Sequence, residues 1–274
     1  MFALPKLEKK VANGIVYYTD DSIFDVTGVR IAFPGRIGGV SGAEFESLNL
    51  GSHVNDNLDD VLKNRELLLE ALCSVDAEEK MPAICNPRQV HGDVVQIVSS
   101  ADEFTDGEEA DAVVCDCEVV APLLCFADCS PVILVASNCV FAVVHAGWRG
   151  VVNKISAKAF TTMVEKFGCN PAEINAYVGA HIRSCCFEVG DDVATIFTDT
   201  FGDDVVEPSG DKFQVSMAKS LKKQLLAVGL DEGRFCDLEI CTNCNTDLFY
   251  SYRATDGKCG RHGAIAFRSA KNAD

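Results

Sequence analysis

The sequence predicts an α/β protein in which helices cover both faces of a mixed β-sheet. Segments with helical spacing of apolar residues alternate with strand-like segments along the chain, which is typical of this class. The strand-like segments in the middle are continuous apolar runs, as expected for strands that are buried on both faces. Because no linker or break in composition divides the chain, we expect residues 1–274 to form a single domain.

The first half of the chain supplies most of the predicted strands. Short strands are expected at residues 15–18 and 29–33, before a glycine-rich turn at 35–39. Apolar residues then recur with helical spacing from Leu58 to Leu72, which predicts an amphipathic helix. Five further strands are expected at 94–98, 112–115, 123–126, 132–136 and 140–144.

The second half begins with a helical pattern from Val151 to Phe167. Gly168 and Pro171 follow this pattern, as is typical after the C-terminus of a helix. Beyond it we expect a strand at 176–179, helices near 192–201 and 215–228, and a last strand at 263–267.

The composition excludes several classes of protein. The 24 basic and 41 acidic residues give a net charge of −17, which argues against a surface that binds nucleic acid. An apolar content of 48% excludes a largely disordered chain. The longest apolar run, Val119 to Ala127, is far shorter than the roughly 20 residues that cross a bilayer. The N-terminus lacks the pattern of a secretory signal, so we expect a cytoplasmic protein that does not bind membranes.

The 14 cysteines form a smaller fraction of the chain than in disulfide scaffolds. In a reducing cytoplasm, most of them are expected to be small buried hydrophobic residues. Cys185 and Cys186 are adjacent, so we expect them to pack in the core rather than to bind one metal with both sulfurs. Four cysteines near the C-terminus lack the two regular pairs of a zinc knuckle: Cys236, Cys241, Cys244 and Cys259.

Three side chains able to bind metal lie at the ends of predicted central strands. Cys129 lies in a short connection between two apolar strands, His145 ends the next strand, and His91 lies just before another. Since α/β sheets collect ligands at strand ends, we expect these residues to meet. Two imidazoles and a thiolate suit zinc, and copper as well. Three protein ligands leave a position for water, whose pKa a metal lowers toward about 7.

The same residues support a different chemistry. Cys129 with His145 or His91 could form a thiolate–imidazolium pair for nucleophilic attack. Metal ligation and attack require the same sulfur, and the spacing leaves both open.

Trp148 and Arg149 lie in a glycine-flanked turn before the predicted helix. Backbone N–H groups and a guanidinium there suit a phosphate, and the indole suits an aromatic base. The alternative is that Trp148 packs in the core and Arg149 is simply solvated.

Two further groups of polar residues have simple interpretations. The acidic run at 102–111 predicts a solvated loop. Three single histidines in polar segments are expected at the surface or in supporting positions: His53, His181 and His262.

Seven motifs occur together between about residue 30 and residue 267: GGVS (38–41), SLNLG (47–51), QVHG (89–92), ADCSPV (127–132), HAGWRG (145–150), CCFEVG (185–190), and FYSYR (249–253) with GR (260–261). Together they resemble the YfiH-like laccase-domain family, whose members are described as polyphenol oxidases and as purine nucleoside phosphorylases. The resemblance implies one three-layer α/β/α domain with a mixed central sheet.

The resemblance also implies a site and an activity. One zinc, or alternatively copper, would be held by His91, Cys129 and His145. The activity implied is a zinc-dependent purine nucleoside phosphorylase for adenosine, inosine and methylthioadenosine, with adenosine deaminase activity. Its partners are then a purine nucleoside and phosphate. Asp128 would orient a ligand or shuttle a proton, and the expected substrate contacts are Arg36, Asn49, Trp148 and Arg149.

Departures from the family's motifs concern specificity rather than the metal. The family's Phe-Ser-Thr-Arg stretch is Phe33-Pro34-Gly35-Arg36 here, so only Arg36 carries over, and Ala254 stands where a second arginine is usual.

Three other functions remain open. One is a Cys-His amide hydrolase that acts on peptide-like or cell-wall precursor substrates. Another is a copper-dependent polyphenol oxidase, for which five histidines are few because laccases require several coppers. The third is a non-enzymatic metal-buffering or scaffold protein with a closed, four-ligand site.

Overall fold

The computed structural model describes residues 2–73, 81–103 and 107–269, and it confirms the α/β class. The strands of the described chain are β1 (Glu8–Ala12), β2 (Ile15–Thr19), β3 (Val29–Pro34), β4 (Ala83–Cys85), β5 (Val95–Val98), β6 (Ala112–Cys115), β7 (Val120–Phe126), β8 (Ser130–Ala136), β9 (Phe141–Ala146), β10 (Ile174–Val178), β11 (Glu188–Val189), β12 (Val206–Ser209), β13 (Lys212–Val215), β14 (Phe235–Asp237) and β15 (His262–Arg268). The helices are α1 (Asp21–Thr27), α2 (Leu58–Leu72), α3 (Trp148–Val152), α4 (Ile155–Phe167), α5 (Asp191–Phe201), α6 (Met217–Ala227) and α7 (Tyr252–Thr255).

Two six-stranded sheets of mixed orientation form the β layer. The first has the order β1-β2-β3-β15-β7-β4, and only β4 pairs with its neighbour in parallel. The second has the order β14-β10-β8-β9-β6-β5, with a parallel pair at each edge. A small antiparallel sheet follows the order β11-β13-β12.

The two large sheets pack face to face, and helices cover their outer faces. Phe33, Phe126 and Phe141, each no more than 1% exposed, fill the space between the sheets. Helix α4 packs on the second sheet with α6 beside it, and α2 packs on the first sheet. The predicted β layer between helices is therefore double. The sequence did not indicate this, because a strand buried against a sheet and one buried against helices show the same apolar run.

The long helix expected around Val151 to Phe167 is divided into two. Lys154 has φ 61°, which ends α3 and starts α4. Val151 and Ile155 are both fully buried on the same core, so the apolar stripe continues across the break and resembles that of one helix. Helix α2, by contrast, has both predicted ends, and the Asn57 side chain caps it by accepting from the Asp59 N–H at 3.0 Å.

The cysteines follow the prediction only in part. Six of the 14 are buried and six are half-buried, but Cys185 and Cys244 are exposed. The expected core packing of the Cys185–Cys186 pair is therefore wrong for Cys185. Within the described residues, no helix is both long enough and apolar enough to span a membrane.

The packing of α4 can be tested at Phe160, which is fully buried against the second sheet. Phe160→Ala is expected to lower the free energy of unfolding by about 3–5 kcal/mol, because the lost ring leaves a cavity. Chemical denaturation measures this loss. Lys166→Ala, on the exposed side of the same helix, should change it by less than about 0.5 kcal/mol. Similar losses in both variants would contradict the packing.

Candidate metal centre

The structure brings the predicted residues His91, Cys129 and His145 into one cluster. Cys129 lies between β7 and β8, His145 near the end of β9, and His91 in the loop before β5. Their ligand atoms all lie within 4.8 Å of one another. The two imidazole rings meet edge to face, with their centroids 4.8 Å apart. This donor set suits zinc or copper.

Gly147, which precedes α3, explains one glycine of the HAGWRG motif. A Cβ at this position would lie 2.9 Å from Cδ2 of His91 and 3.3 Å from Sγ of Cys129. Any side chain would therefore press on two members of the cluster. The glycine allows the start of α3 to pass directly over it.

Asp111 holds the two histidines in place. Its fully buried carboxylate accepts a hydrogen bond from Nδ1 of His145 at 2.7 Å. It also accepts from the backbone N–H groups of Val90, His91 and Gly92 at 3.2, 3.0 and 2.8 Å. Because Nδ1 of His145 is bonded to Asp111, Nε2 is the atom left for a metal or a thiolate.

Asp111 also corrects the prediction of a solvated acidic loop at 102–111. Residues 104–106 lie outside the described chain, but Ala110 and Asp111 are buried. The charge pattern does not distinguish this aspartate from its exposed neighbours. The available signal was its position directly before the apolar strand β6.

The cluster stabilises a thiolate and an imidazolium. Burial alone would raise the pKa of the Cys129 thiol, but the imidazoles of His145 and His91 stabilise the thiolate and lower its pKa to about 6. Burial would lower the pKa of His145, but the Cys129 thiolate and the Asp111 carboxylate raise it to about 9. A thiolate present at neutral pH serves both metal ligation and nucleophilic attack.

Asp128, expected to orient a ligand or shuttle a proton, connects loops in this structure. Its carboxylate accepts from the hydroxyl of Thr242 at 2.6 Å and from the backbone N–H of Arg253 at 2.7 Å. Its own carbonyl accepts from the N–H of Ile182 at 3.0 Å. These contacts make Asp128 a positioning residue, and the proton shuttle stays a prediction.

A cavity of about 540 Å³ opens above the cluster. This volume lies in the range of small-molecule sites. Besides the three cluster residues, its wall includes Trp148, Arg149, Phe187, Tyr252, Arg253 and Arg261.

Two of the four predicted substrate contacts, Trp148 and Arg149, line this cavity. The guanidinium of Arg149 lies over the Trp148 ring, 4.4 Å from its centroid. Helix α3 has only five residues, so its dipole adds little attraction for an anion. The guanidinium is the group that attracts one.

The structure does not bring the other two, Arg36 and Asn49, to this cavity. The Arg36 guanidinium donates to the carbonyls of Glu46, at 2.8 and 2.6 Å, and of Thr246, at 2.9 Å. Asn49 is fully buried, and its side-chain oxygen accepts from the N–H groups of Gly51 and Arg261 at 3.1 and 2.8 Å. Both side chains hold loops together.

Arg253 and Arg261 also line the cavity, and we did not single them out from the sequence. The Arg253 guanidinium donates to the carbonyls of Cys186 and Glu188 at 3.4 and 3.3 Å, and that of Arg261 to Cys259 at 2.8 Å. Among the described residues, neither arginine forms an ion pair with an acidic side chain, and nor does Arg149. Both arginines lie in motifs that the sequence shows, FYSYR (249–253) and GR (260–261), and these motifs could have indicated them.

Of the remaining histidines, His53 is exposed, which is one of the two positions expected for it. His53 lines the cavity, and burial together with Arg261 lowers its pKa. His181 and His262 are buried, at 0% and 1% exposure, rather than at the surface. Burial lowers the pKa of both, and that of His262 to about 3.

A second, larger cavity of about 910 Å³ shares His53 and Gln89 with the first. Its wall combines apolar residues with polar and charged ones such as Arg65 and Glu66, and it contains none of the three cluster residues. Of the two cavities, the His91–Cys129–His145 cluster lines only the smaller one.

The contact between Asp111 and His145 predicts a loss of metal affinity on substitution. Asp111→Asn should weaken zinc binding by about 10–100-fold, because His145 loses the carboxylate that orients it. Competition with a chromophoric chelator measures the affinity. Asp102→Asn changes an exposed residue of the same acidic run and should have no effect. Unchanged affinity in Asp111→Asn would refute this role.

The charge state of the cluster predicts selective alkylation. In metal-free protein, Cys129 should react with iodoacetamide half-maximally at a pH of about 6, since the thiolate fraction falls only as the pH drops through its pKa. Cys244 should react only at alkaline pH, because hydrogen bonds with Cys186 and Cys241 raise its pKa to about 11. Peptide mass spectrometry over a pH series distinguishes the two. A midpoint for Cys129 at the ordinary value of about 8.5 would contradict the prediction.

Comparisons with known proteins show the family of this chain and agree with its fold. The family model described as multi-copper polyphenol oxidoreductase laccase matches residues 30–269. The chain is 31% identical over 247 residues to "Purine nucleoside phosphorylase YlmD" of Bacillus subtilis (strain 168), covering 85% of this chain and 86% of that protein. It is 31% identical over 249 residues to "Adenosine deaminase RL5" from an unknown prokaryotic organism, covering 86% and 92%.

A solved structure supports the same grouping. The crystal structure of YlmD from Geobacillus stearothermophilus has a TM-score of 0.85 and 28% identity, covering 97% of this chain and 100% of that one. Relatives named YfiH also match, in agreement with the motifs. The chain therefore belongs to the multi-copper polyphenol oxidoreductase laccase family, within its YfiH-like group.

Proposed function

We propose that this protein is a zinc-dependent purine nucleoside phosphorylase with adenosine deaminase activity. One observation carries the proposal: a single cavity contains the His91–Cys129–His145 cluster beside three arginines that lack a carboxylate partner among the described residues. The relatives named for these two activities support it.

The residues of the cluster fit zinc. Two nitrogens and one sulfur are ligands that zinc prefers, and three protein ligands are typical of catalytic zinc. When bound, zinc would supply a Lewis acid and a water of lowered pKa. The chain has five histidines in all, which is few for an oxidase that needs several coppers. Copper at this one cluster is the alternative metal.

Three arginines supply the phosphate site. Arg149, Arg253 and Arg261 line the cavity, so positive charge is concentrated there in a chain of net charge −17. Charge-assisted hydrogen bonds from guanidinium groups suit a phosphate dianion. Phosphate held beside the sugar would attack its anomeric carbon, while the bond from that carbon to the purine breaks. Arg253 and Arg261 thus take the place first assigned to Arg36.

Aromatic side chains supply the site for the purine. Trp148, Phe187 and Tyr252 line the same cavity, and their faces can stack on a base. For deamination, water adds at C6 of the purine and ammonia leaves. His53, kept neutral by its lowered pKa, is the candidate to accept a proton from the water and return it to the departing amine.

A Cys-His amide hydrolase is the second candidate. It is favoured by the lowered pKa of Cys129 beside the raised pKa of His145, which is the pairing of a cysteine nucleophile with its base. The two candidates differ in their response to chelators. Metal removal should abolish phosphorolysis and deamination but leave hydrolysis by Cys129 intact.

The proposed function predicts distinct effects on two reactions. With adenosine and phosphate, chromatography should detect adenine with ribose 1-phosphate, and inosine. Arg149→Ala removes a guanidinium that lies over the Trp148 ring. It should raise KM for phosphate by about tenfold or more and change deamination little, because deamination uses no phosphate.

Arg88→Ala is the matched control, since Arg88 is exposed and pairs with Glu109 outside this cavity. It should leave both reactions unchanged. Formation of neither adenine nor inosine by wild-type protein would overturn the proposed function. An equal loss of both reactions in Arg149→Ala would overturn the phosphate role of Arg149.

A further inference from the structure

Four cysteines form a second cluster, which we name the tetracysteine cluster: Cys185, Cys186, Cys241 and Cys244. Their Sγ atoms all lie within 4.8 Å of one another. The Sγ of Cys185 is 3.7 Å from the Sγ of Cys186 and 3.8 Å from the Sγ of Cys244. The Sγ atoms of Cys186 and Cys244 are 3.4 Å apart. Four sulfurs around one zinc at about 2.3 Å lie about 3.8 Å apart. The cluster therefore has nearly the dimensions of a tetrahedral tetrathiolate site.

Neither core packing nor a disulfide explains the tetracysteine cluster. Cys185 and Cys244 are exposed and Cys186 is half-buried, so three of the four thiols are not core residues. All four are free thiols. Thiols are weak hydrogen-bonding groups, so their mutual contacts give little reason for four of them to converge at the surface.

A tight turn directs the two adjacent cysteines toward the same point. The N–H groups of Cys186 and Phe187 both bond to the carbonyl of Arg183, at 2.9 and 2.8 Å. This turn places the sulfurs of Cys185 and Cys186 only 3.7 Å apart. Adjacent cysteines were not expected to bind one ion with both sulfurs, but this turn brings both sulfurs into one group that could hold an ion.

The main chain also stabilises a thiolate at this cluster. The backbone N–H of Arg183 donates to Sγ of Cys241 at 3.4 Å. The Arg253 guanidinium lies close by, 3.4 Å from the carbonyl oxygen of Cys186. A divalent ion with four thiolates carries two negative charges, so these groups oppose the excess charge.

The tetracysteine cluster joins two segments that hold the candidate metal centre. His181 and Cys241 form a parallel bridge between the segments, and the N–H of Thr242 donates to the carbonyl of His181 at 3.1 Å. One segment contributes the hydroxyl of Thr242 to Asp128, and the other the N–H of Ile182. A link through sulfur would thus fix both loops that hold Asp128 beside Cys129.

We propose that the tetracysteine cluster is a second, structural metal site that binds one zinc ion. Four sulfur ligands leave no position for water, which is the arrangement of structural rather than catalytic zinc. Sulfur ligands also exclude magnesium and calcium, which prefer oxygen. Binding releases the thiol protons to solvent, and no electron is transferred. The site is independent of the reaction proposed for the cavity.

The zinc content of a variant that lacks one ligand of the His91–Cys129–His145 cluster tests the proposal. Cys129→Ala, purified under reducing conditions and measured by elemental mass spectrometry, is expected to retain one zinc per chain. Adding Cys244→Ser should remove that zinc. Adding Cys139→Ser instead, a half-buried cysteine outside both clusters, should leave it. Zinc content that Cys244→Ser does not change would overturn the proposal.

A spectroscopic measurement keeps the test independent of whether Cys244→Ser folds. X-ray absorption of zinc-loaded Cys129→Ala should show four sulfur neighbours at about 2.3 Å. His91→Asn provides a second background, because asparagine tolerates the positive φ of 59° at this position. A shell of nitrogen or oxygen neighbours in both backgrounds would overturn the proposal. A disulfide within the tetracysteine cluster of protein purified under reducing conditions would overturn it as well.

Discussion

The candidate metal centre depends on one buried carboxylate. Asp111 is fully enclosed, and a buried charge is unfavourable by several kcal/mol unless it is fully paired. Three backbone N–H groups and the imidazole of His145 supply that pairing. The same bonds fix the loop of His91 against strand β9. The position of both histidines, and through them the thiolate of Cys129, therefore follows from the need to satisfy Asp111.

Positive charge is concentrated in the cavity of this strongly acidic protein. Many acidic groups are paired with lysines and arginines on the surface, whereas Arg149, Arg253 and Arg261 bond to carbonyls or to an aromatic ring. Their charge remains available within the cavity. A net charge of −17 disfavours the binding of a long polyanion, whose many phosphates would meet the acidic surface. It does not exclude a single phosphate that enters a locally positive cavity.

The sequence predicted those parts of the site that depend on position along a strand. Cys129 lies between two buried strands, and His145 lies near the end of a third. Their positions along these strands were enough to predict that the two side chains meet. The roles of Asp111 and Arg36 could not be predicted in this way. The burial of Asp111 and the loop contacts of Arg36 depend on residues that are distant in sequence. Arg36 bonds to Thr246, which is 210 residues away. The second sheet could not be predicted either, because a strand buried against a sheet and one buried against helices show the same apolar run.

Helix α7 contributes to the wall of the cavity beside the His91–Cys129–His145 cluster. Helix α7 has only four residues, and Tyr252 and Arg253 from its first turn line the cavity. So short a helix has little intrinsic stability, since helix nucleation is unfavourable. Contacts at its start therefore help to position α7: the Ser251 side chain accepts from the N–H of Ala254, and Asp128 accepts from the N–H of Arg253. Cys244 of the tetracysteine cluster lies eight residues before Tyr252 in the chain. A closed zinc site there would order the cavity wall without taking part in its chemistry. Such a site accounts for the three cysteines of the cluster that are not core residues.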